Sequence, residues 1–230
     1  MAGQGLEYYV DIAMCIDATG SMGPIIEEVK SNAMSLHEKF EEAMCLAGKD
    51  PAGMRIKVVV IGDYKSDPEP MQESPFYALP DQNDEFRAFV LGIRATGGGD
   101  IPENAFEAIA TAMKSDWTPA KSGIKRRQAI VVFSDAPALP LGERADCGNY
   151  PTDIPKTMPE LTAWWEGTTQ SFGGAYDPKA GRLIAFVPND ESWTQLESLN
   201  RFTPVYTAAR GCSELDMQTI LDTIVGSFEA

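Results

Sequence analysis

Two stretches of consecutive apolar residues, Val58-Val59-Val60-Ile61 and Ile130-Val131-Val132-Phe133, constrain the fold of this chain more than any other feature. Successive side chains on a strand point to opposite faces, so an unbroken apolar run needs cover on both sides. Parallel sheets sandwiched between helices provide that cover. The intervening segments supply the helices: Pro24 to Leu46 carries Ile25, Ile26, Val29, Ala33, Leu36 and Phe40 at helical spacing, and Pro102 to Lys114 does the same with Ala105, Ile109 and Met113. Tyr8 to Ile16, Met54 to Tyr64, Gln128 to Phe133, Leu183 to Val187 and Pro204 to Tyr206 read as strands, with a short one near Phe76 to Leu79. Asp84 to Ile93, Leu161 to Phe172, Ser192 to Asn200 and Met217 to Phe228 read as further helices. Such alternation predicts an α/β fold with a doubly wound, mostly parallel central sheet and helices on both faces.

A chain of 230 residues with 43% hydrophobic content suits one domain, 1–230, with a full-sized core. The Pro-rich stretch at about 136–158 reads as a long surface loop, a length that often carries function. Formal charge is -15, from 19 Lys plus Arg against 34 Asp plus Glu, which repels phosphate backbones and anionic lipid surfaces and so argues against nucleic-acid and membrane partners. The one basic stretch, Lys121 to Arg127, is expected to solvate a loop. No run approaches the roughly 20 apolar residues of a membrane span, and the amino terminus lacks the pattern of a secretion signal. Cys15, Cys45, Cys147 and Cys212 are scattered without CxxC spacing, as expected of reduced thiols in a soluble, cytoplasmic protein.

In doubly wound sheets, ligands bind outside the carboxyl ends of the strands, where loops converge. Three such loops here are rich in oxygen. Asp17-Ala18-Thr19-Gly20-Ser21-Met22 sets one carboxylate and two hydroxyls at alternate positions, which can converge on one point if Gly20 lets the backbone curl. Thr96-Gly97-Gly98-Gly99-Asp100-Ile101-Pro102-Glu103 adds a hydroxyl and two carboxylates, and Ser134-Asp135-Ala136-Pro137 adds another carboxylate. Hard oxygen donors select Mg2+, Mn2+ or Ca2+ over zinc.

Asp17-x-Thr19-x-Ser21, the glycine-rich loop and Asp135, in that order, resemble the metal-ion-dependent adhesion site of von Willebrand factor A domains. The resemblance is best over about the first 140 residues. The blocks Asp17 to Met22, Ala95 to Glu103 and Ser134 to Pro137 are especially similar to the A domain attached to certain α-kinases and to stand-alone prokaryotic relatives. It implies a Rossmann-like fold with one short antiparallel edge strand and a Mg2+ site whose open position accepts the Asp or Glu of a protein partner. Asp100-Ile101-Pro102-Glu103 resembles a step of integrin β I-like domains, which implies Glu103 as a direct ligand; in simpler A domains a loop threonine serves, for which Asp100 or Thr96 would stand in. Asp63 matches an integrin position of a second ion site, but Gly98 stands where that site expects asparagine.

Simpler roles stand beside these. Asp100 and Ser21 suit helix caps, Asp135 suits a turn, and the glycine loop by itself accounts for Thr96. Trp164-Trp165 reads as one buried and one partly exposed ring. His37 is the only histidine and lies far in sequence from every motif, so Ser-His-Asp catalysis and His-ligated zinc have no candidate. These features favour a non-enzymatic interaction module that takes a partner's carboxylate through Mg2+. A Mg2+-dependent hydrolase or phosphoryl-transfer enzyme, and a metal-free scaffold, are the alternatives. The sequence is silent on oligomeric state.

Overall fold

The computed structural model describes residues 7–95, 103–169, 176–207, 212 and 214–229. Seven strands form one sheet: β1 (Glu7–Asp17), β2 (Asp50–Ile61), β3 (Met71–Glu73), β4 (Tyr77–Leu79), β5 (Ile124–Phe133), β6 (Gly181–Pro188) and β7 (Phe202–Thr207). The helices are α1 (Gly23–Asn32), α2 (Leu36–Leu46), α3 (Asn83–Gly92), α4 (Ala105–Met113), α5 (Met158–Trp165) and α6 (Met217–Ser227). The order across the sheet is β3-β2-β1-β5-β6-β7, and β1, β2, β5, β6 and β7 run parallel. Two short strands, β3 and β4, pair antiparallel with β2 where the sequence suggested one.

The unbroken apolar runs divide between the two faces as the pleat requires. Val58, Val60, Val131 and Phe133 join one buried cluster with α1, α2, α3 and α6. Val59, Ile61, Ile130 and Val132 join the other, under α4, α5 and the 3-10 segment Glu191–Ser198. Burying each Val or Ile side chain contributes about 1.5–3 kcal/mol. These two strands, β2 and β5, therefore anchor the helices on both faces of the sheet.

The departures from the sequence reading have local causes. The helix expected over Pro24 to Leu46 is two helices, because Asn32 Nδ2 donates back to Glu28 O at 2.9 Å and Ser35 N turns onto Asn32 O at 3.0 Å. The helix expected from Leu161 stops at Trp165, where Gly167 takes φ 68° and Thr168 N closes onto Ala163 O at 2.9 Å. In place of the α-helix expected over Ser192 to Asn200 stands the 3-10 segment Glu191–Ser198, opened by Asp190 Oδ1 accepting from Ser192 N at 2.9 Å. Half of the basic stretch belongs to β5: Arg127 is buried and its guanidinium donates to Phe228 O at 3.0 Å, capping the end of α6, while Arg126 pairs with Asp177. Trp164 and Trp165 are both buried, at 7% and 0% exposure.

All four cysteines are free thiols. Burial pushes Cys15 and Cys212 up to about 12, outweighing the charge of Lys57 at Cys15 and the Thr207 hydrogen bond at Cys212. Native protein treated with iodoacetamide at neutral pH is expected to alkylate at the exposed Cys45 and to stay unmodified at Cys15 and Cys212, as read by peptide mass spectrometry.

Candidate metal centre

The register of the parallel strands brings the loops together. Asp17 lies opposite Ile61 and Ile16 opposite Phe133, so the residues that follow β1, β2 and β5 leave the sheet side by side at one edge. Asp17, Asp63 and Asp135 are thereby gathered without any long-range device beyond strand pairing.

Asp17 is fully buried and holds two of the loops. Its Oδ1 accepts from Thr19 N at 2.8 Å, and its Oδ2 accepts from Ser134 Oγ at 2.9 Å. Burial pushes its carboxyl above the usual range, and the charge of Asp135 adds to this, against the Thr19 and Ser134 hydrogen bonds. Met22 N donates to Thr19 O at 3.0 Å, closing the 3-10 turn Gly20–Met22, and buried Met22 anchors it. That turn stacks Thr19 Oγ1 and Ser21 Oγ 3.3 Å apart on the exposed side of Asp17. Gly20 is not in a left-handed conformation, so the convergence comes from the 3-10 turn and not from glycine's freedom. Nor does Ser21 cap the next helix; the residue at that position is Met22, with no side-chain bond.

Glu103 closes the second side. Its backbone pairs with the third loop, N to Pro137 O at 3.0 Å and O from Leu139 N at 2.8 Å, and Trp193 Nε1 holds the same loop at Ala136 O, 3.1 Å away. The Glu103 side chain is 2% exposed and its Oε1 has no hydrogen-bond partner. Burial first, then the charges of Asp17, Asp63, Asp67 and Asp135, push this carboxyl up to about 8. Thr96 and Asp100, with the glycines between them, lie outside the described residues.

Asp63 is committed elsewhere. Its oxygens accept from Lys65 N at 3.0 Å and Ser66 Oγ at 2.9 Å, and Arg144 Nε lies 3.3 Å from Oδ1. Burial works to raise its carboxyl, but the hydrogen bonds of Lys65 and Ser66 and the charge of Arg144 outweigh it and hold it below the usual range. Arg144 comes from the long loop, which is not a free surface excursion. Buried Glu107 on α4 accepts from Gly142 N and from Tyr150 OH, both at 3.1 Å, and the rings of Tyr64 and Tyr150 sit 5.1 Å apart. At Gly142, φ 85°, a Cβ would fall 2.3 Å from Lys156 O, so this fold of the loop needs glycine there.

Sequence reasoning missed Ser134, Arg144 and Glu107 as parts of this centre. Ser134 had a signal, its place directly after a buried strand and beside Asp135; the other two are joined to the site only by tertiary contacts. Among the described residues no three His, Cys, Asp or Glu side chains form a metal cluster of their own. What converges is mixed: one buried carboxylate, two hydroxyls at its outer side, half-buried Asp135, and Glu103 with an unpartnered oxygen. An all-oxygen set with an orphaned carboxylate oxygen under a negative field fits a small divalent cation, which Asp17, Thr19, Ser21, Asp135 and Glu103 could hold.

The profile of the von Willebrand factor A domain matches residues 11–141, more than half of the chain. The chain belongs to the von Willebrand factor A domain family. Its A domain is 25% identical over 146 residues to the alpha-protein kinase vwkA of Dictyostelium discoideum, covering 64% of this chain and 21% of the kinase. It is 27% identical over 128 residues to an ariadne-like RING finger protein of Acanthamoeba polyphaga mimivirus, covering 56% of this chain and 11% of that protein. The chain thus spans about a fifth or less of these curated relatives. Among solved structures, the pilus adhesin SpaC from Lactobacillus rhamnosus GG in its open conformation superposes with TM-score 0.52 at 12% identity, over 95% of this chain and 30% of the adhesin. The von Willebrand factor type A from Catenulispora acidiphila gives 0.50 at 11% identity, over 96% and 43%. At these identities the structural likeness is one of fold.

The raised Glu103 carboxyl has a pH consequence for the A domain in chelator. Between about 4.5 and about 8 the unfolded chain releases this proton while the folded chain keeps it, so the group's contribution to stability falls as pH rises through that window. Thermal melts in chelator from pH 5 to 8.5 are expected to show wild type losing stability relative to Glu103→Gln, whose neutral amide has no proton to give up.

Proposed function

We propose that this A domain is a non-enzymatic interaction module that binds one divalent cation, Mg2+ by preference with Mn2+ or Ca2+ as substitutes, and through it a carboxylate of a protein partner. Asp17, Thr19, Ser21, Asp135 and Glu103 would hold the cation, with Asp100 adding to them. The observation that carries the reading is the Thr19–Ser21 hydroxyl pair, 3.3 Å apart, set on a buried Asp17 whose other oxygen is held by the third loop's Ser134. Neutral hydroxyls in the outer positions leave the cation's charge less neutralised, and bound Mg2+ would supply an electrophilic coordination position for an Asp or Glu from outside. The protein's own part is to orient the two hydroxyls, to fix the Asp17 carboxyl in place by two hydrogen bonds, and to keep Asp63 out of the set by pairing it with Arg144.

The place of the chain's one histidine, away from the hydroxyls, supports the non-enzymatic reading. His37 pairs with Glu41 on α2 and lines the cleft at Tyr9 and Asp11, near the start of β1, whereas Asp17 ends that strand. The pilus adhesin among the structural neighbours and the kinase and RING finger relatives, where an A domain is one part of a larger chain, agree with a recruiting role. Four free thiols agree with a cytoplasmic setting, and among the described residues no helix is long and apolar enough to cross a membrane. Titration calorimetry with Mg2+, Mn2+ and Ca2+ tests the first half: binding of one ion per chain is expected, and silence with all three ends the proposal. Mg2+-dependent phosphatase turnover that Asp17→Asn removes would overturn the non-enzymatic assignment.

A further inference from the structure

The loop of residues 137–157 is tied to α4 at three points. Leu139 N donates to Glu103 O at 2.8 Å, Gly142 N and Tyr150 OH both donate to Glu107 Oε1 at 3.1 Å, and Lys114 at the far end pairs with Asp153. The outer ties are a backbone bond and a surface ion pair. The middle one hangs on a carboxyl with no exposure at all. Glu107 Oε1 carries both donors, whereas Oε2 is buried with no hydrogen-bond partner among the described residues. Asn104 is in the same position: fully buried, its Nδ2 donates to Gly62 O at 3.0 Å and its Oδ1 has no partner there. Asn104 and Glu107 occupy the two positions of a capping box, whose side chains lie next to each other, yet Asn104 makes no side-chain cap bond.

Two buried acceptors without donors are costly as they stand. One proton on Glu107 Oε2 removes both costs, since a protonated carboxyl donates through one oxygen and accepts through the other. It also removes the larger cost of a buried charge. Burial pushes the Glu107 carboxyl above its usual range, against the hydrogen bonds of Gly142 and Tyr150 and the charge of Arg144.

We propose that Glu107 holds a proton on Oε2, hydrogen-bonds through it to Asn104 Oδ1, and so latches the loop onto α4, and that loss of this proton lets the loop open. The closed loop keeps the proton and the open loop, with Glu107 in water, releases it, so opening is favoured as pH rises. Arg144 leaves with the loop, which withdraws its guanidinium from Asp63 Oδ1, 3.3 Å away in the closed form. The groups around Glu107 titrate outside this range. Tyr150 on the loop and Tyr64 after β2 are pushed up by burial, Cys15 of β1, bonded to Ala108 O of α4, is pushed up to about 12, and Asp153 is held below its usual range by Lys114. Glu73, beside Tyr64, is paired with Lys57 at 2.6 Å.

Hydrogen exchange of peptides within 138–157, corrected for the intrinsic pH dependence of exchange, tests the latch in chelator from about pH 6 to about pH 9. Wild type is compared with Glu107→Gln, which copies the protonated acid: its Oε1 can accept from Gly142 N and Tyr150 OH while its Nε2 donates to Asn104 Oδ1. Loop protection in wild type is expected to fall with pH by up to about tenfold per unit, the limit for release of one proton. In Glu107→Gln it should stay high and flat. A wild-type loop whose protection does not change, or a pH dependence that the glutamine variant retains, overturns the proposal. Glu103 is intact in both proteins, so its own proton cannot produce the difference. Infrared difference spectra of wild type against Glu107→Gln near pH 6 read the proton without loop motion, with melting curves confirming that each protein is folded. The carbonyl stretch of a protonated carboxyl is expected, shifted in an Asn104→Ala background; carboxylate bands in its place, or a stretch that Asn104→Ala leaves unmoved, overturn the latch as drawn.

Discussion

Replacing Asp17 with alanine is expected to lower affinity for Mg2+ about 100-fold or more, because it removes both a charge at the cation and the group that orients the loops around it. Thr19 N and Ser134 Oγ both donate to this one carboxylate, at 2.8 and 2.9 Å. The fold should survive. Ser134 Oγ has a second acceptor in Ala136 O at 3.4 Å, Thr19 is only half-buried and meets water, and losing a fully buried charge offsets part of the two lost bonds. Asp17→Asn sharpens the test: it keeps an acceptor for the loops but not the charge. Calorimetry with Mg2+, paired with melting curves in chelator, should show both variants folded and both unable to bind. An asparagine variant that titrates like wild type would mean that the cation, if bound, sits elsewhere.

Trp193→Ala should be the most destabilising single substitution around the site, at about 3–5 kcal/mol. The indole is 1% exposed, meets Phe106 of α4 edge-on with ring centroids 5.8 Å apart, and donates from Nε1 to Ala136 O at 3.1 Å. Alanine leaves a cavity between the 3-10 segment and α4, and it frees the carbonyl two residues beyond Ser134. Trp193→Phe retains most of the packing and loses the hydrogen bond, for about 1–3 kcal/mol. Urea unfolding of the three proteins separates the two contributions, since the cavity belongs to alanine alone. A phenylalanine variant as unstable as alanine would show that the bond to Ala136, and not the packing, holds this corner.

The order of elements was readable because each rests on a local pattern: Val58 to Ile61 and Ile130 to Phe133 can only be strands with two covered faces, and they are. Where the reading failed, a few polar contacts outweighed periodicity. Asn32 and Ser35 split one expected helix, and Arg127 turned a basic loop into the buried start of β5 by finding Phe228 O. The site was legible to the same degree. Asp17, Thr19, Ser21, Glu103 and Asp135 come from motifs that announce themselves in sequence, but the hold of Ser134 on Asp17 depends on strand register. Arg144's approach to Asp63 spans 81 residues and has no local signature.

By itself, then, the sequence determined which segments become strands, which faces they bury and which oxygen-bearing loops follow them, since those outcomes depend on neighbours a few residues away. Tertiary structure decided how those oxygens are used: which carboxylate is held by hydrogen bonds, which is paired with Arg144, and which is left buried with an unpartnered oxygen. Such assignments depend on distances of a few ångströms between residues far apart in the chain, where burial and neighbouring charge set the energy of each group.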